Sequence, residues 1–483
     1  HKEYNKNMKK KYILLLFSCL LGTGAYAQTL AKAKELYEKG EYEQAKPAFQ
    51  RLVKSNPSNG NYNLWYGVCC LKTGEAEKAV KPLEMAVKRR TPSGQLYLGQ
   101  AYHQAYRFEE AVEVYEEYIA ELKKRKRSTD QAESLLQQSK IGLRQLRGVE
   151  EVCIVDSFVV DKKDFLKTYK IGSEAGKLFM YNEYFKDREP SETTVYETEL
   201  GTKIYYSEYQ PADSTLNILA SNKRQDGWSK GTPLPGSING EVNANYPYVM
   251  SDGVTIYYAA DGPESIGGYD IFVTRYNTQN GTYLNPQNVG MPFNSPYNDY
   301  MYVVDEYNNL GWFASDRHQP EGKVCVYVFI PNTSKQVYSY ENMEHEKLLA
   351  LARLSSIKQT WVDNDLVTEA LQRLKDVSTE KKEVKQKHDF EFVIDDQTVY
   401  YKMADFRSPQ AKKTFQKYRQ LENSYAQQSN KLDDLRKRYA SAPQAERGKM
   451  APGMLDLEKR IEQLADEIDQ TAILVRQQEK GIK

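Results

Sequence analysis

The sequence predicts a multidomain α and β fold: an N-terminal α-solenoid, a central β-propeller with a helical insertion, and a C-terminal antiparallel coiled-coil hairpin. Three observations carry that expectation. In the first third, small and aromatic anchors recur at intervals such as the 34 residues from Ala45 to Ala79, as stacked helix pairs require. A unit of strand, turn, strand, glycine-rich loop and strand at Asn243–Val273 returns about 54 residues on at Asn298–Phe329, which is how propeller blades repeat. Near the end, Leu457, Ile461, Leu464, Ile468, Thr471 and Val475 keep the 4-3-4-3-4 spacing of a coiled-coil seam.

The chain has 483 residues, room for two to four domains, and its 67 Lys and Arg nearly cancel its 66 Asp and Glu. That balance argues against nucleic acid as a partner and against a purely electrostatic hold on an anionic surface. The 38 tyrosines suit half-buried strand faces. Residues 1–7 precede Met8, and residues 1–27 read as a signal peptide: Lys9-Lys10-Lys11, the apolar run Tyr12–Leu21, then Ala25-Tyr26-Ala27 with cleavage before Gln28. The apolar run is too short to span a bilayer. Cys19 raises lipidation as the alternative, which would make the chain a surface lipoprotein. After cleavage Cys69, Cys70, Cys153 and Cys325 remain. They are expected as buried small hydrophobes, with a Cys153–Cys325 bridge as the rival reading.

Residues 28–150 form the helical repeat. Ala45, Phe49 and Pro57 answer to Ala79, Leu83 and Pro92, then to Ala111, Tyr115 and Ile119. Gly67 and Gly99 are assigned to the tight crossings, Gly40 and Gly74 to turns, and a helix near Asp130–Leu146 to a cap. These positions resemble the tetratricopeptide repeat, with three units. The resemblance implies a groove for a peptide or a partner's helix, and no chemistry.

Residues 152–408 form the blades, drawn at 152–190, 191–240, 241–294 and 295–340, with helices inserted at 341–388 and strand signals returning at Phe390–Ile394 and Thr398–Lys402. The expected count is five or six. Asp252-Gly253 marks a hairpin turn, because glycine takes the positive φ required there. The segments Pro233-Leu234-Pro235, Ser251-Asp252-Gly253, Gly267-Gly268-Tyr269-Asp270-Ile271 and Pro292-Phe293-Asn294 resemble the WD40-like, TolB-type propellers of exported bacterial proteins. Joined to tetratricopeptide repeats, they look like a periplasmic family of the Bacteroidetes type. Its usual OmpA-like C-terminal domain is not visible here, so any peptidoglycan contact is expected to be indirect. Residues 409–483 instead carry Tyr418, Tyr425, Leu432 and Tyr439 every seven residues, a break at 440–453, and the seam that begins at Leu457.

No catalytic, cofactor-binding or metal-ligating residue is predicted. His103, His318, His345 and His388 sit in separate segments, and neither a zinc helix motif, a nucleophile elbow nor a phosphate loop occurs. Asp252, Asp261, Asp270 and Asp316 recur with the repeats, which points to turn hydrogen bonding. The expected function is a non-enzymatic periplasmic scaffold in an outer-membrane-associated assembly for secretion, outer-membrane biogenesis or a cell-wall-linked complex. Its partners would be other envelope proteins, held by the repeat groove, the propeller face or the hairpin. The alternative is a propeller enzyme or glycan binder acting on exported polymers.

Overall fold

The structure, a computed structural model, describes residues 30–224, 227–277, 281–379, 390, 392–395 and 398–481. The signal segment 1–27 and Cys19 lie outside them. Two compact units emerge: one holds residues up to Tyr196, Tyr206–Ile218 and Leu234–Val377, the other Glu197–Tyr205, Leu219–Pro233 and Ser378–Lys483.

The first unit begins with α1 (Leu30–Glu38), α2 (Tyr42–Ser55), α3 (Gly60–Lys72), α4 (Ala76–Lys88), α5 (Gly94–Gln104), α6 (Phe108–Lys124) and α7 (Asp130–Leu146), each packed on the next. Glycine sets how closely they approach. A Cβ at Gly67 would stand 2.6 Å from Leu83, one at Gly99 2.5 Å from Tyr115, and one at Gly142 2.5 Å from Phe108. In the first pair the fully buried Ala33 shares a cluster with Phe49. The turns inside each pair repeat as well. Glu41 N–H reaches Leu36 O, Glu75 N–H reaches Cys70 O, and Arg107 N–H reaches Tyr102 O, each at 2.8 Å. The residue before each donor is left-handed: Gly40 at φ 80°, Gly74 at φ 78°, and Tyr106 at φ 60°. This 6→1 closure satisfies helix-end carbonyls, and glycine adopts it without strain.

Strands follow. β1 (Cys153–Asp161), β2 (Lys177–Met180), β3 (Thr194–Glu197), β4 (Lys203–Gln210), β5 (Thr215–Arg224), β6 (Gly227–Trp228) and β7 (Thr232–Pro233) precede β8 (Asn243–Val249), β9 (Thr255–Asp261), β10 (Tyr269–Asn277), β11 (Thr282–Tyr283) and β12 (Gln287–Asn288). Then come β13 (Asp299–Asp305), β14 (Leu310–Ser315) and β15 (Lys323–Ile330). Among the described residues they make three sheets: β2-β3-β4-β5-β6 with β7 on β5, and the antiparallel β11-β10-β9-β8 with β12 on β10 and β1-β15-β14-β13.

The predicted repeat is therefore present in the second and third of these sheets. Asn243 gives its N–H and side-chain N–H to Asp261, both at 2.8 Å, and Asn298 treats Asp316 the same way at 2.8 and 2.7 Å. Asn239 pairs with both main-chain groups of Ile218, as Asn294 does with Ile271. An asparagine side chain carries the same donor and acceptor as a peptide group, so it completes the third strand of each unit. Tyr246 and Met301 both sit at positive φ inside a register shift, so the bulge also recurs.

Three expectations need correction. Residues 152–190 do not make a sheet of their own, because β1 pairs along its length with β15, Cys153 opposite Ile330 and Asp161 opposite Lys323. The same register rules out a Cys153–Cys325 bridge: Cys325 lies opposite Val159, six strand positions from Cys153, roughly 20 Å at strand rise. All four described cysteines are free, three of them buried. Finally, β16 (Phe392–Asp395) and β17 (Thr398–Tyr400) form a separate two-stranded sheet. The count of five or six blades is thus not what the described residues form.

In the second unit that small sheet lies against α10 (Pro409–Ser441) and α11 (Gln444–Glu479), the two long helices of the C-terminal region. Phe392, Ile394, Tyr400, Phe406 and Phe415 share one buried cluster with Ala472 and Val475. Arg476 Nε donates to Val393 O at 2.8 Å. Lys417 pairs with Glu467 and Arg436 with Glu458, so the helices run antiparallel. The break is shorter than the sequence suggests: α11 starts at Gln444 and carries Pro452 within it. Helices α8 (His345–Arg353) and α9 (Asn364–Thr379) fill most of the predicted insertion in the first unit.

Gly99→Val is expected to destabilise the helical stack by about 1–3 kcal/mol through overpacking against Tyr115. Gly448→Ala in α11 meets nothing within 4 Å and is expected to stabilise by about 0.5–1 kcal/mol. Thermal unfolding followed by circular dichroism measures both.

Candidate functional site

The first helices of the pairs touch one another, α3 with α5 and α5 with α7, and so form one wall. Partly exposed residues on it include Tyr62 and Trp65 of α3, Tyr97 and Gln100 of α5, and Leu135 and Gln138 of α7. Trp65 rests on Phe49 at 5.4 Å between ring centroids, and Lys34 Nζ of α1 stands 4.7 Å over its ring. A cation over an aromatic face is an attractive pairing that holds Lys34 against Trp65.

Only part of the wall is open. At the α5–α7 end it is taken by the loop between β9 and β10. Ile266 of that loop is fully buried and shares a cluster with Phe108, Ile141 and Leu146. His103 Nε2 donates to Ile266 O at 2.6 Å, and Gln138 Nε2 donates to Gly267 O at 3.2 Å. The other imidazole nitrogen, Nδ1, meets Ser139 Oγ at 2.9 Å. Burial holds His103 down to about 4, so it is neutral at physiological pH. Helix α8 seals the same junction: Leu348, Leu349 and Ala352 join the cluster, and Arg353 bonds the carbonyl of Ala105 and pairs with Glu77 at 3.0 Å. The helical stack and the sheets of the first unit are thereby held together.

The glycine-rich loop is shaped for this contact. A Cβ on Gly267 or Gly268 would overlap Tyr297 or Asn298 of the next repeat. Asp270, fully buried, takes the N–H groups of Ile266 at 3.0 Å and Gly267 at 3.2 Å, and Asn288 Nδ2 at 2.7 Å. Burial pushes its carboxyl up to about 8, against the pull of those donors. Beside it Arg317 and Asp299 form a buried ion pair at 2.7 Å. Arg317 also donates to Pro292 O and Phe293 O, at 2.7 and 2.6 Å, which offsets the cost of burying the charges.

Of the recurring aspartates, Asp252 makes the turn hydrogen bonds expected, whereas Asp261 and Asp316 bond Asn243 and Asn298 at the start of the neighbouring strand and Asp270 closes the loop before it. Asp252 accepts Val254 N–H at 2.9 Å and Thr255 N–H at 2.8 Å. His318 contacts Arg353 O, His345 begins α8, and His388 lies outside the described residues, so the structure does not gather the described histidines. No group of three metal-capable side chains occurs among the described residues. Burial raises all four described thiols, Cys69 to about 12, which makes them poor nucleophiles. No helix among the described residues is long and apolar enough to cross a membrane. Sequence reasoning misses the docking of Ile266. Its one signal is an isoleucine set among glycines in a connection between strands, where an exposed apolar side chain has no place to go.

A tetratricopeptide-repeat model matches residues 30–94, which cover α1 to α4. No curated protein and no solved structure matches the chain. The matched residues supply Tyr62 and Trp65 of the open part of the wall, and repeats of this kind suggest a protein–protein interaction scaffold.

A histidine that takes its proton only near pH 4 when folded, but near 6.5 when unfolded, favours the folded state fully above about pH 6.5. That contribution falls away as the pH drops towards 4 and amounts to about 3 kcal/mol. Asp270 acts with the opposite sign, since its raised value favours folding at low pH. The difference between the wild type and His103→Gln isolates the histidine. The variant is expected to lose less stability between pH 7 and 5, measured by urea unfolding across that range.

Proposed function

We propose that the chain is a non-enzymatic scaffold that grips a peptide or helix of a partner along the α1–α5 wall. The observation that carries this is division of labour along one surface. The α5–α7 end is spent on an internal segment, Ile266 and its neighbours, while Tyr62, Trp65, Tyr97 and Gln100 stay partly exposed beside it. A surface that already holds an extended loop by histidine and glutamine side chains offers the same means to an external one. In this reading the three sheets belong to a WD40-like propeller, the α10–α11 pair is a coiled-coil hairpin, and both present further faces for assembly. The signal-like segment 1–27 supports export to the periplasm. A setting in an outer-membrane-associated complex rests on the resemblance to exported proteins of the Bacteroidetes type.

A photo-crosslinking residue placed at Gln100 of the full chain is expected to trap a discrete partner from an envelope fraction, while one at Tyr307, which is 77% exposed on the sheet region, is not. Lys34→Glu is expected to lower the yield at Gln100 severalfold. Recovery of the chain alone from both positions overturns the reading.

A further inference from the structure

The near balance of charge over the whole chain hides a separation inside the helical stack. Consecutive helices there are joined by short turns and run antiparallel, so the connections α2–α3, α4–α5 and α6–α7 all emerge at one edge. The first brings Arg51 and Lys54, the second Lys88, Arg89 and Arg90, and the third the run from Lys123 to Arg127, all of them exposed. Residues 51–59, 86–94 and 122–129 hold no aspartate or glutamate. Nearby carboxylates answer Lys123, paired with Glu133 at 3.2 Å, and Arg125, paired with Glu121 at 2.5 Å. The other cations of this edge make no ion pair among the described residues. The opposite edge differs: there Lys39 pairs with Glu35, Lys78 with Glu75 and Arg107 with Glu110.

Two of the basic turns are closed by the same backbone bond as the turns inside each pair. Thr91 N–H reaches Ala86 O and Arg127 N–H reaches Leu122 O, both at 2.9 Å, with Arg90 at φ 55° and Lys126 at φ 53° just before the donors. At the opposite edge Gly40 and Gly74 fill this left-handed position. A long side chain is strained there where glycine is not. The stack thus keeps a cation, unpaired within the fold, at two positions that suit glycine better.

We propose that this edge lies against a bilayer surface that carries anionic phospholipid headgroups. Distance decides against a single small anion. Neighbouring helices pack roughly 8–10 Å apart, so the first and third turns stand at least about 16–20 Å from each other. That exceeds the screening length of about 8 Å in physiological salt, so the row acts on several anionic groups spread over a surface. Side-chain chemistry decides between the surfaces. Among the described residues none of the three turns exposes a large apolar or aromatic side chain. A protein partner would find no anchor there, and a nucleic acid no platform for its bases. Headgroups need neither, because each cation near an anionic leaflet adds to the hold. The edge consists of helix ends and not of the α1–α5 wall, so the proposal is independent of the scaffold reading.

Co-sedimentation of the full chain with lipid vesicles tests this. Vesicles with about 30 mol % phosphatidylglycerol in phosphatidylcholine are expected to carry the protein down at low salt, and about 0.5 M salt to release it. Vesicles of phosphatidylcholine alone are expected to leave it in solution. Arg90→Gly combined with Lys126→Gly is expected to weaken binding roughly tenfold or more. Its Tm is expected to stay level or rise, since glycine suits both turns, so lost binding cannot be lost folding. Lys39→Gln combined with Lys78→Gln, at the opposite edge, is expected to leave vesicle binding unchanged. No sedimentation with phosphatidylglycerol, or an equal loss in both double variants, overturns the proposal. So does binding of polyglutamate or of duplex DNA through Arg90 and Lys126 when anionic vesicles are not bound.

Discussion

Close approach without side chains is the constraint on which this molecule depends. Neighbouring units must lie nearer to each other than a Cβ permits, at Gly67, Gly99 and Gly142 in the helices and at Gly267 and Gly268 in the loop between β9 and β10. Each glycine gives up local rigidity for close contact with a neighbour: Leu83, Tyr115, Phe108, the Tyr297 backbone or the Asn298 side chain. The apolar faces of single helix pairs and single sheets are too broad to be hidden alone, and these contacts let neighbours hide them.

The same economy joins the two kinds of repeat in the first unit. A loop that must be glycine-rich to pass Tyr297 also projects Ile266 beyond its own sheet, and the end of the helical stack receives it. The polar groups exposed by that passage are all answered: Ile266 O by His103, Gly267 O by Gln138, and the two amides by Asp270. Buried main-chain groups need such partners, which is why a neutral histidine and a buried aspartate sit where no chemistry is evident.

Much of this is legible in the residues. The helix crossings at Gly67 and Gly99 and the tandem relation of Asn243–Val273 to Asn298–Phe329 are local or periodic signals, and local signals survive in a single sequence. What escapes is long-range pairing. Nothing in Cys153–Asp161 says that its partner is Lys323–Ile330 and not the next strand along, so the residues alone suggest a sheet of its own. Phe392 and Tyr400 alternate like strand residues in any sheet, and only the phenylalanines around α10 and the Val475 face of α11 decide where they are buried. Pro452 resembles a stop signal, yet α11 continues through it. The open wall is foreseeable as a groove. Its closure at one end is not, because it depends on the meeting of Ile266 with residues more than a hundred positions earlier.

The β1–β15 pairing also has a temporal side. A ribosome makes β1 long before β15, and until Ile330 has been added the strand from Cys153 to Asp161 has no mate. For the whole interval a bare edge with Ile154, Val155 and Phe158 is open to any other extended chain nearby. Newly made copies are therefore most prone to stick together in a window that closes only when the last of these three sheets is complete, and an attendant chaperone would be most useful within it.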